Sequence, residues 1–577
     1  MTFLRECPGI VPGIAGRAAL TARPPPGTYD LRVTSPASPT RAATAPALRN
    51  TLTRSADPVR LPAEGPVRMY TCGPTVYRWA HIGNLRSYLL ADFIRRAILY
   101  HGWPVLHVKN ITDVGHLRDE RFDRGEDRML VAAGLESRTP AEIADAYEAG
   151  FHQDEALVNI LPAHVFPRAT EHIDEMLELA SRLEALGHAY LSPEGNLYYA
   201  VASFPGYGGL SGNTLDQLHA GHRGEVEADK RDAADFALWK AAGEGRLLRW
   251  PSPWGDGFPG WHLECSAMGL KYLGPDFEIH TGGIDNVFPH HEDEIAQSSP
   301  LTGGPPARHW VHGEHLLAAG RKMAKSTGNF ERITELAERG VDPLAFRYLA
   351  LTVRYGRKLN YSDGSIDAAA AALRSLRTLV ARLGPAPDAG PWTAPPALRA
   401  GFAGDRPVGV AEGVAGHQDD PALAAASVAF PVADRAGSPS APLSEGGRRL
   451  HDRFVAAIDD DLDLPTALAV VRETLRADLA ADERRWLALD ADLVLGLDLD
   501  LTTDGGAART AGGGEAQSSA EDSPALPAGA DALLARRAEA RANRDWAAAD
   551  ALRAELAGLG IEVVDGPEGT TWRRASG

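Results

Sequence analysis

The stretch from residue 67 to 108 restricts this chain more than any other: a strand, a glycine-bearing turn, a helix and a second strand. Val67 to Cys72 alternates as a strand does, and Asn84 to Tyr100 sets Leu85, Leu89, Phe93, Ala97 and Ile98 at helical spacing. Val105 to Val108 is a further β-prone run. So short a βαβ unit admits one geometry. Its strands lie parallel, its crossover is right-handed, and it forms half of a doubly wound sheet whose ligand crevice opens where the strands end. Cys72 and His81, both in YTCGPTVYRWAHIGN, fall at that crevice.

At 577 residues the chain exceeds a single hydrophobic core, so several domains are expected. Residues 1–46, rich in Arg, Pro, Ala and Thr, read as a disordered extension. The nucleotide-fold pattern covers 47–340, interrupted at about 116–250 by a mostly helical, polar insertion. It resumes near Trp261, with Phe277 to His280 as a strand running into Thr281-Gly282-Gly283. Asp342 and Pro343 supply an N-cap and a first-position proline for a helix through Arg354. Helical segments at Ser365 to Leu383 and Leu450 to Leu497 make 341–500 a helical domain, split at about 385–447 by a flexible insertion rich in Gly, Ala and Pro. A linker at 501–530 leads to a compact tail, 531–577, with helices at Asp531 to Arg544 and Trp546 to Leu556 and a β-like end, Thr570-Thr571-Trp572-Arg573-Arg574.

No stretch reaches the roughly 18 to 20 apolar residues that cross a bilayer. Cysteines at 7, 72 and 265 cannot build a disulfide framework, so a soluble protein of the reducing cytoplasm is expected. The net charge of −18 speaks against a nucleic-acid partner on its face, although a local basic surface can sit within an acidic chain. Lysine placement says more. Only seven of the 59 basic residues are lysines, and two lie together in Lys322-Met323-Ala324-Lys325-Ser326.

Two groups of residues carry chemistry. Cys72, Cys265 and the run His290-His291-Glu292-Asp293-Glu294 hold donors suited to Zn²⁺ rather than to Mg²⁺ or Ca²⁺. His290 and Glu294, four apart, can reach one ion from a helical face. Spacing alone leaves His291 equally eligible, and leaves buried structural thiols as the alternative to a metal site. The second group joins His81-Ile82-Gly83-Asn84, at a helix start whose N–H groups and dipole suit phosphate, with the Lys322/Lys325 loop. Neither Walker A nor Gly-x-Gly-x-x-Gly follows a strand, so P-loop and dinucleotide readings are poorly supported.

Taken in order, TCGPTVY, HIGN, ITDV, DKRD with DFALWK, GWHLECSAM, TGGIDNVFPHHEDEIAQS, KMAKSTGN and GTTWRR resemble the cysteinyl-tRNA synthetases. These are class I enzymes with HIGH-type and KMSKS-type signatures, and the resemblance runs from about residue 47 to 574. It implies a Rossmann-type α/β catalytic domain with a doubly wound parallel sheet, a helical-bundle domain that binds tRNA, and a small C-terminal α+β module that reads the anticodon. It implies one zinc per chain on Cys72, Cys265, His290 and Glu294, selecting the thiolate of cysteine over the hydroxyl of serine. It places His81, Gly83, Asn84, Gly283 and Asp285 at ATP, Lys322 and Lys325 on the triphosphate, and Thr75 and Trp261 beside the cysteine, with His81, Asn84, Lys322 and Lys325 as the catalytic group. Ala324 departs from the usual Ser of the loop, and a modest effect is expected. Mg²⁺ enters with ATP, L-cysteine and tRNA(Cys) are the substrates, and a monomer is expected. Arg541, Trp572 and Arg573 in the tail are the candidate tRNA contacts, through stacking and phosphate or base contacts. The rivals are a cysteine:amino-sugar ligase of mycothiol synthesis, which lacks the long C-terminal portion, and a catalytically inactive RNA-binding paralogue.

Overall fold

The computed structural model describes residues 45–501, apart from 116, 120–123, 137, most of 215–228, 244–245, 319–320, 323–330, 396 and most of 401–440. It also describes 546–558, 561–566, 569–574 and a few positions between 533 and 540. Nearly all of the extension expected at 1–46 and of the linker expected at 501–530 thus lies outside the described residues, as does most of the insertion expected at 385–447.

The βαβ unit is β1 (Val67–Thr71), α1 (Ile82–Tyr100) and β2 (Val105–Lys109). Past the insertion, which includes α2 (Pro140–Leu157), come α3 (Trp261–Leu273), β3 (Phe277–Gly283), α4 (Glu292–Thr302) and β4 (Ala307–Gly313). The strands pair in parallel in the order β4, β3, β1, β2. Because both faces are covered, alternation along β1 selects between two cores rather than between core and solvent. Val67 and Met69 pack with Leu85 and Leu89 of α1, whereas Tyr70 packs with Leu263 and Met268 of α3. β2 is buried at every position.

A reciprocal cap starts α1. His81 Nδ1 accepts from the Asn84 N–H and Asn84 Oδ1 accepts from the His81 N–H, each at 3.2 Å. The helix is buried almost all round, since it lies between the sheet and the helix Ala481–Leu495. Full burial of each Leu or Ile there contributes about 1.5–3 kcal/mol.

Two elements differ from expectation. The insertion holds a four-stranded antiparallel sheet (Ala189–Leu191, Leu197–Tyr199, Phe236–Ala241, Gly257–Pro259) beside its helices, and strands this short give no usable period. The helix after Asp342 runs only Leu344–Leu351, where Asp342 Oδ1 accepts from the Leu344 N–H at 2.9 Å. The helices Asp363–Ala381, Glu445–Asp459, Leu464–Thr474 and Ala481–Leu495 follow.

One hydrophobic cluster runs from Val67 and Leu89 through Leu349 and Leu373 to Leu468 and Val494, so the boundary expected near 340 does not interrupt the core. Buried charges bind the same elements. Asp92 Oδ2 of α1 accepts from Arg96 Nε at 2.7 Å and from Arg347 Nη2 at 2.6 Å, and all three side chains are fully buried. Both arginines also donate to the Asn159 carbonyl, and Arg347 Nε reaches the Leu495 carbonyl at 2.6 Å.

Backbone contacts gather residues 1–511 into one unit and 512–577 into another. In the second, the helix Trp546–Gly558 precedes an antiparallel hairpin, Ile561–Gly566 with Gly569–Arg574. Most of the helix expected at Asp531 to Arg544 lies outside the described residues. Among the described residues no helix is long and apolar enough to cross a membrane.

Candidate active site

The strand order turns back between β1 and β3, which is where a doubly wound sheet opens its crevice. Cys72 stands at that point, just beyond β1, with its N–H donating to the Thr281 carbonyl of β3 at 3.3 Å. The next residue must be glycine: a Cβ on Gly73 would lie 1.6 Å from the Asn110 carbonyl oxygen. α3 brings Cys265, the turn Val287–His291 brings His290, and the first turn of α4 brings Glu294. Donor atoms of Cys72, Cys265, His290 and Glu294 all lie within 4.8 Å of one another. A second quartet, Cys72, His280, His291 and Glu294, meets the same condition.

The two sets share Cys72 and Glu294. Glu294 Oε1 is 3.0 Å from His290 Nε2, its Oε2 is 3.0 Å from His280 Nε2, and Cys72 Sγ is 3.2 Å from His291 Nε2. Further histidines surround them: His312 Nε2 is 2.7 Å from His291 Nδ1, and His262 Nδ1 is 3.0 Å from His290 Nδ1. The Trp261 ring stacks on His290 at 4.3 Å. Burial pushes the Cys72 thiol up, helped by Cys265 and the Glu294 charge, and it holds His291 well below the usual imidazole range. Burial likewise lowers His312, to about 3. The protein alone thus disfavours the Cys72 thiolate and the charged forms of His291 and His312, and a bound cation reverses that preference for the thiol. Tetrahedral zinc places N, O and S donors roughly 3.3 to 3.8 Å apart. The first quartet, with two sulfurs, fits that ion.

A chain of hydrogen bonds joins the two cysteine-bearing segments. The Gly73 N–H donates to Asn110 Oδ1 (2.9 Å), Asn110 Nδ2 to Thr112 Oγ1 (3.1 Å), and Thr112 Oγ1 to Glu264 Oε2 (2.8 Å). Glu264 immediately precedes Cys265, so the relay links the segments that carry the two thiols. Asn110→Ala is expected to weaken zinc binding about 10- to 100-fold, the range for lost support of metal ligands. Chelator competition measures this directly.

The HIGN side is assembled beside it. A Cβ on Gly283 would lie 3.2 Å from Ser87 Oγ, so the end of β3 approaches the first turns of α1, which carry Gly83 and Asn84. Asp285 follows in the next turn, its Oδ2 3.5 Å from His315 Nδ1. Thr75 bridges to Thr112 at backbone level. Lys322 lies on the strand Arg321–Lys322, opposite Leu317. Lys325, Ala324 and Arg541 lie outside the described residues, and Trp572 and Arg573 are on the last strand. His262, His280, His312, Asn110, Thr112 and Glu264 join the site without a role that residue order signals. Lone histidines such as His280 and His312 on strands carry no spacing signal, although Asn110 directly precedes ITDV and His262 and Glu264 stand within GWHLECSAM.

Comparison with known proteins gives the family. Residues 59–371 match the family described as tRNA synthetases class I (C) catalytic domain, and residues 523–573 match the cysteinyl-tRNA ligase anticodon binding domain. The fold is that of a class I aminoacyl-tRNA synthetase. The cysteine–tRNA ligase of Chlorobium chlorochromatii is 37% identical over 528 residues, covering 91% of this chain and 98% of that protein. Those of Thermus thermophilus and Salinibacter ruber are each 38% identical, over 528 and 561 residues, with the same 91% and 98% coverage. The chain belongs to the cysteine–tRNA ligase family.

Proposed function

We propose that this chain activates L-cysteine with ATP and transfers it to tRNA(Cys), acting as a monomer in the cytoplasm. The observation that carries the reading is the meeting of Cys72, Cys265, His290 and Glu294 within 4.8 Å beside the start of α1. These four residues would hold zinc, which supplies a thiophilic centre for the substrate sulfur and so a distinction from serine that pocket size cannot draw. Trp261, stacked on His290, and Thr75 shape the amino-acid side of the site. His81, Gly83 and Asn84, at the N-terminus of α1, receive ATP with its Mg²⁺, and Gly283 and Asp285 lie toward adenine and ribose. Lys322 and Lys325 offset charge on the triphosphate as the cysteine carboxylate attacks the α-phosphorus and pyrophosphate leaves. They act as electrostatic catalysts rather than bases. A hydroxyl of the terminal tRNA ribose then attacks the acyl carbon of cysteinyl-adenylate, and AMP departs.

The domain plan follows: catalysis in 47–340, tRNA binding by the helices of 341–500, and anticodon reading by 531–577 through Arg541, Trp572 and Arg573. The match at 523–573 supports tRNA as acceptor over an amino sugar. Incubation of the purified chain with labelled cysteine, ATP and a tRNA(Cys) transcript is expected to give cysteinyl-tRNA. Product only with an amino sugar, or none, would overturn the reading.

A further inference from the structure

Three segments meet at Trp79. This residue stands two positions before His81, and its ring packs on one face of α2. It meets Tyr147 edge-on at 4.6 Å and lies so close to Gly150 that a Cβ there would be 2.2 Å from the ring. The guanidinium of Arg332 also lies over the ring, with Cζ 4.2 Å from the ring centroid. Arg332 is the N-cap of α5 (Ile333–Glu338), and the residue before it, Glu331, accepts from the Ile82 N–H at 3.0 Å. The described chain therefore resumes at Glu331 held to the first residue of α1.

The same helix face carries a buried carboxylate with unfilled hydrogen-bonding capacity. Asp154 is one turn beyond Gly150 and fully buried, yet neither oxygen has a hydrogen-bond partner. Arg332 Nε is likewise buried without a partner, and Arg332 Nη2 stands 3.9 Å from Asp154 Oδ1. Unsatisfied buried polar atoms are costly, and here a carboxylate and a guanidinium that each hold such atoms stand 3.9 Å apart from Nη2 to Oδ1. Bringing Arg332 Nη2 and Asp154 Oδ1 to the ~2.7–2.9 Å of a charge-assisted bond needs an approach of about 1 Å.

We propose that Arg332 and Asp154, with Trp79 as the surface they close over, form a catch that fixes the stem of the lysine-bearing stretch against the HIGN helix when ATP is bound. Both are positioning residues. The proposal rests on the reading that Lys322 and Lys325 serve the triphosphate. Burial pushes Asp154 up to about 7, which accords with a carboxylate whose partner has not closed.

Cysteine-dependent pyrophosphate exchange by full-length Asp154→Asn, Arg332→Ala, Arg332→Lys and the Asp154→Asn/Arg332→Ala double variant tests this. Asp154→Asn removes an uncompensated buried charge, so its thermal midpoint is expected to stay or rise while kcat/KM for ATP falls about 10- to 100-fold, as for a misplacement near 1 Å. The KM for cysteine and the zinc content stay unchanged. Arg332→Lys, which keeps the charge but not the fork, recovers part of the loss from Arg332→Ala, and the double variant is no worse than Arg332→Ala. ATP kinetics within twofold of wild type, or losses that track the thermal midpoint or fall equally on cysteine, would overturn the catch. An inactive wild-type protein would instead count against the proposed function.

Discussion

Cys265→Ser is expected to bind zinc about 100- to 1,000-fold more weakly and to lose cysteine-dependent pyrophosphate exchange. Four-ligand zinc sites in small peptides bind with roughly 10–16 kcal/mol, so one ligand is worth about 2.5–4 kcal/mol. A hydroxyl replaces little of what a thiolate gives a borderline-soft ion. The variant also separates the two donor quartets, because Cys265 belongs to one, whereas the other uses His280 and His291. Zinc retained at wild-type affinity in Cys265→Ser would assign the metal to the second. Cys265 is almost fully buried, and serine is close in size, so folding is expected to survive the change.

Asp92→Asn is expected to cost about 3–5 kcal/mol of stability, the range for removing one partner of a buried ion pair. Two guanidiniums share the carboxylate, and without it Arg96 and Arg347 face each other with only carbonyls as acceptors. Burial opposes the Asp92 charge, but Arg96 and Arg347 together hold its carboxyl below the usual range. This contribution is therefore complete above the unfolded carboxyl's range near pH 4 and is lost as pH falls through the lower folded value. Urea denaturation measures the change. A loss under about 1 kcal/mol would mean that the carbonyls of Asn159 and Leu495 suffice without the carboxylate. Since the triad joins α1 to the region around Leu344–Leu351, its loss should also loosen the catalytic part from the helical part.

Much of this was legible in residue order. The βαβ unit, the capped start at His81 and the placement of Cys72 at a strand end follow from local periodicity and turn chemistry. What escaped was long-range. Asp92 and Arg96 are a visible helical pair, yet nothing marks Arg347 as their third member, 255 residues away. The Gly73–Asn110–Thr112–Glu264 relay likewise joins positions that are neighbours only after the sheet has formed. Histidines 280, 291 and 312 come from two strands and a turn, and no spacing rule gathers them. Residue order leaves His290 and His291 equal, and the fold brings both to Glu294, so the preference for His290 rests on the family resemblance and on its sharing a quartet with both cysteines.

The central claim, that this chain selects cysteine through a metal held by its own thiols, is tested by pyrophosphate exchange on wild-type protein stripped of zinc and then restored. One zinc per chain, exchange that needs cysteine and is negligible with serine, loss on stripping and recovery with zinc are the expected results. Zinc-replete protein that gives no cysteine-dependent exchange, or exchange indifferent to stripping, would contradict it.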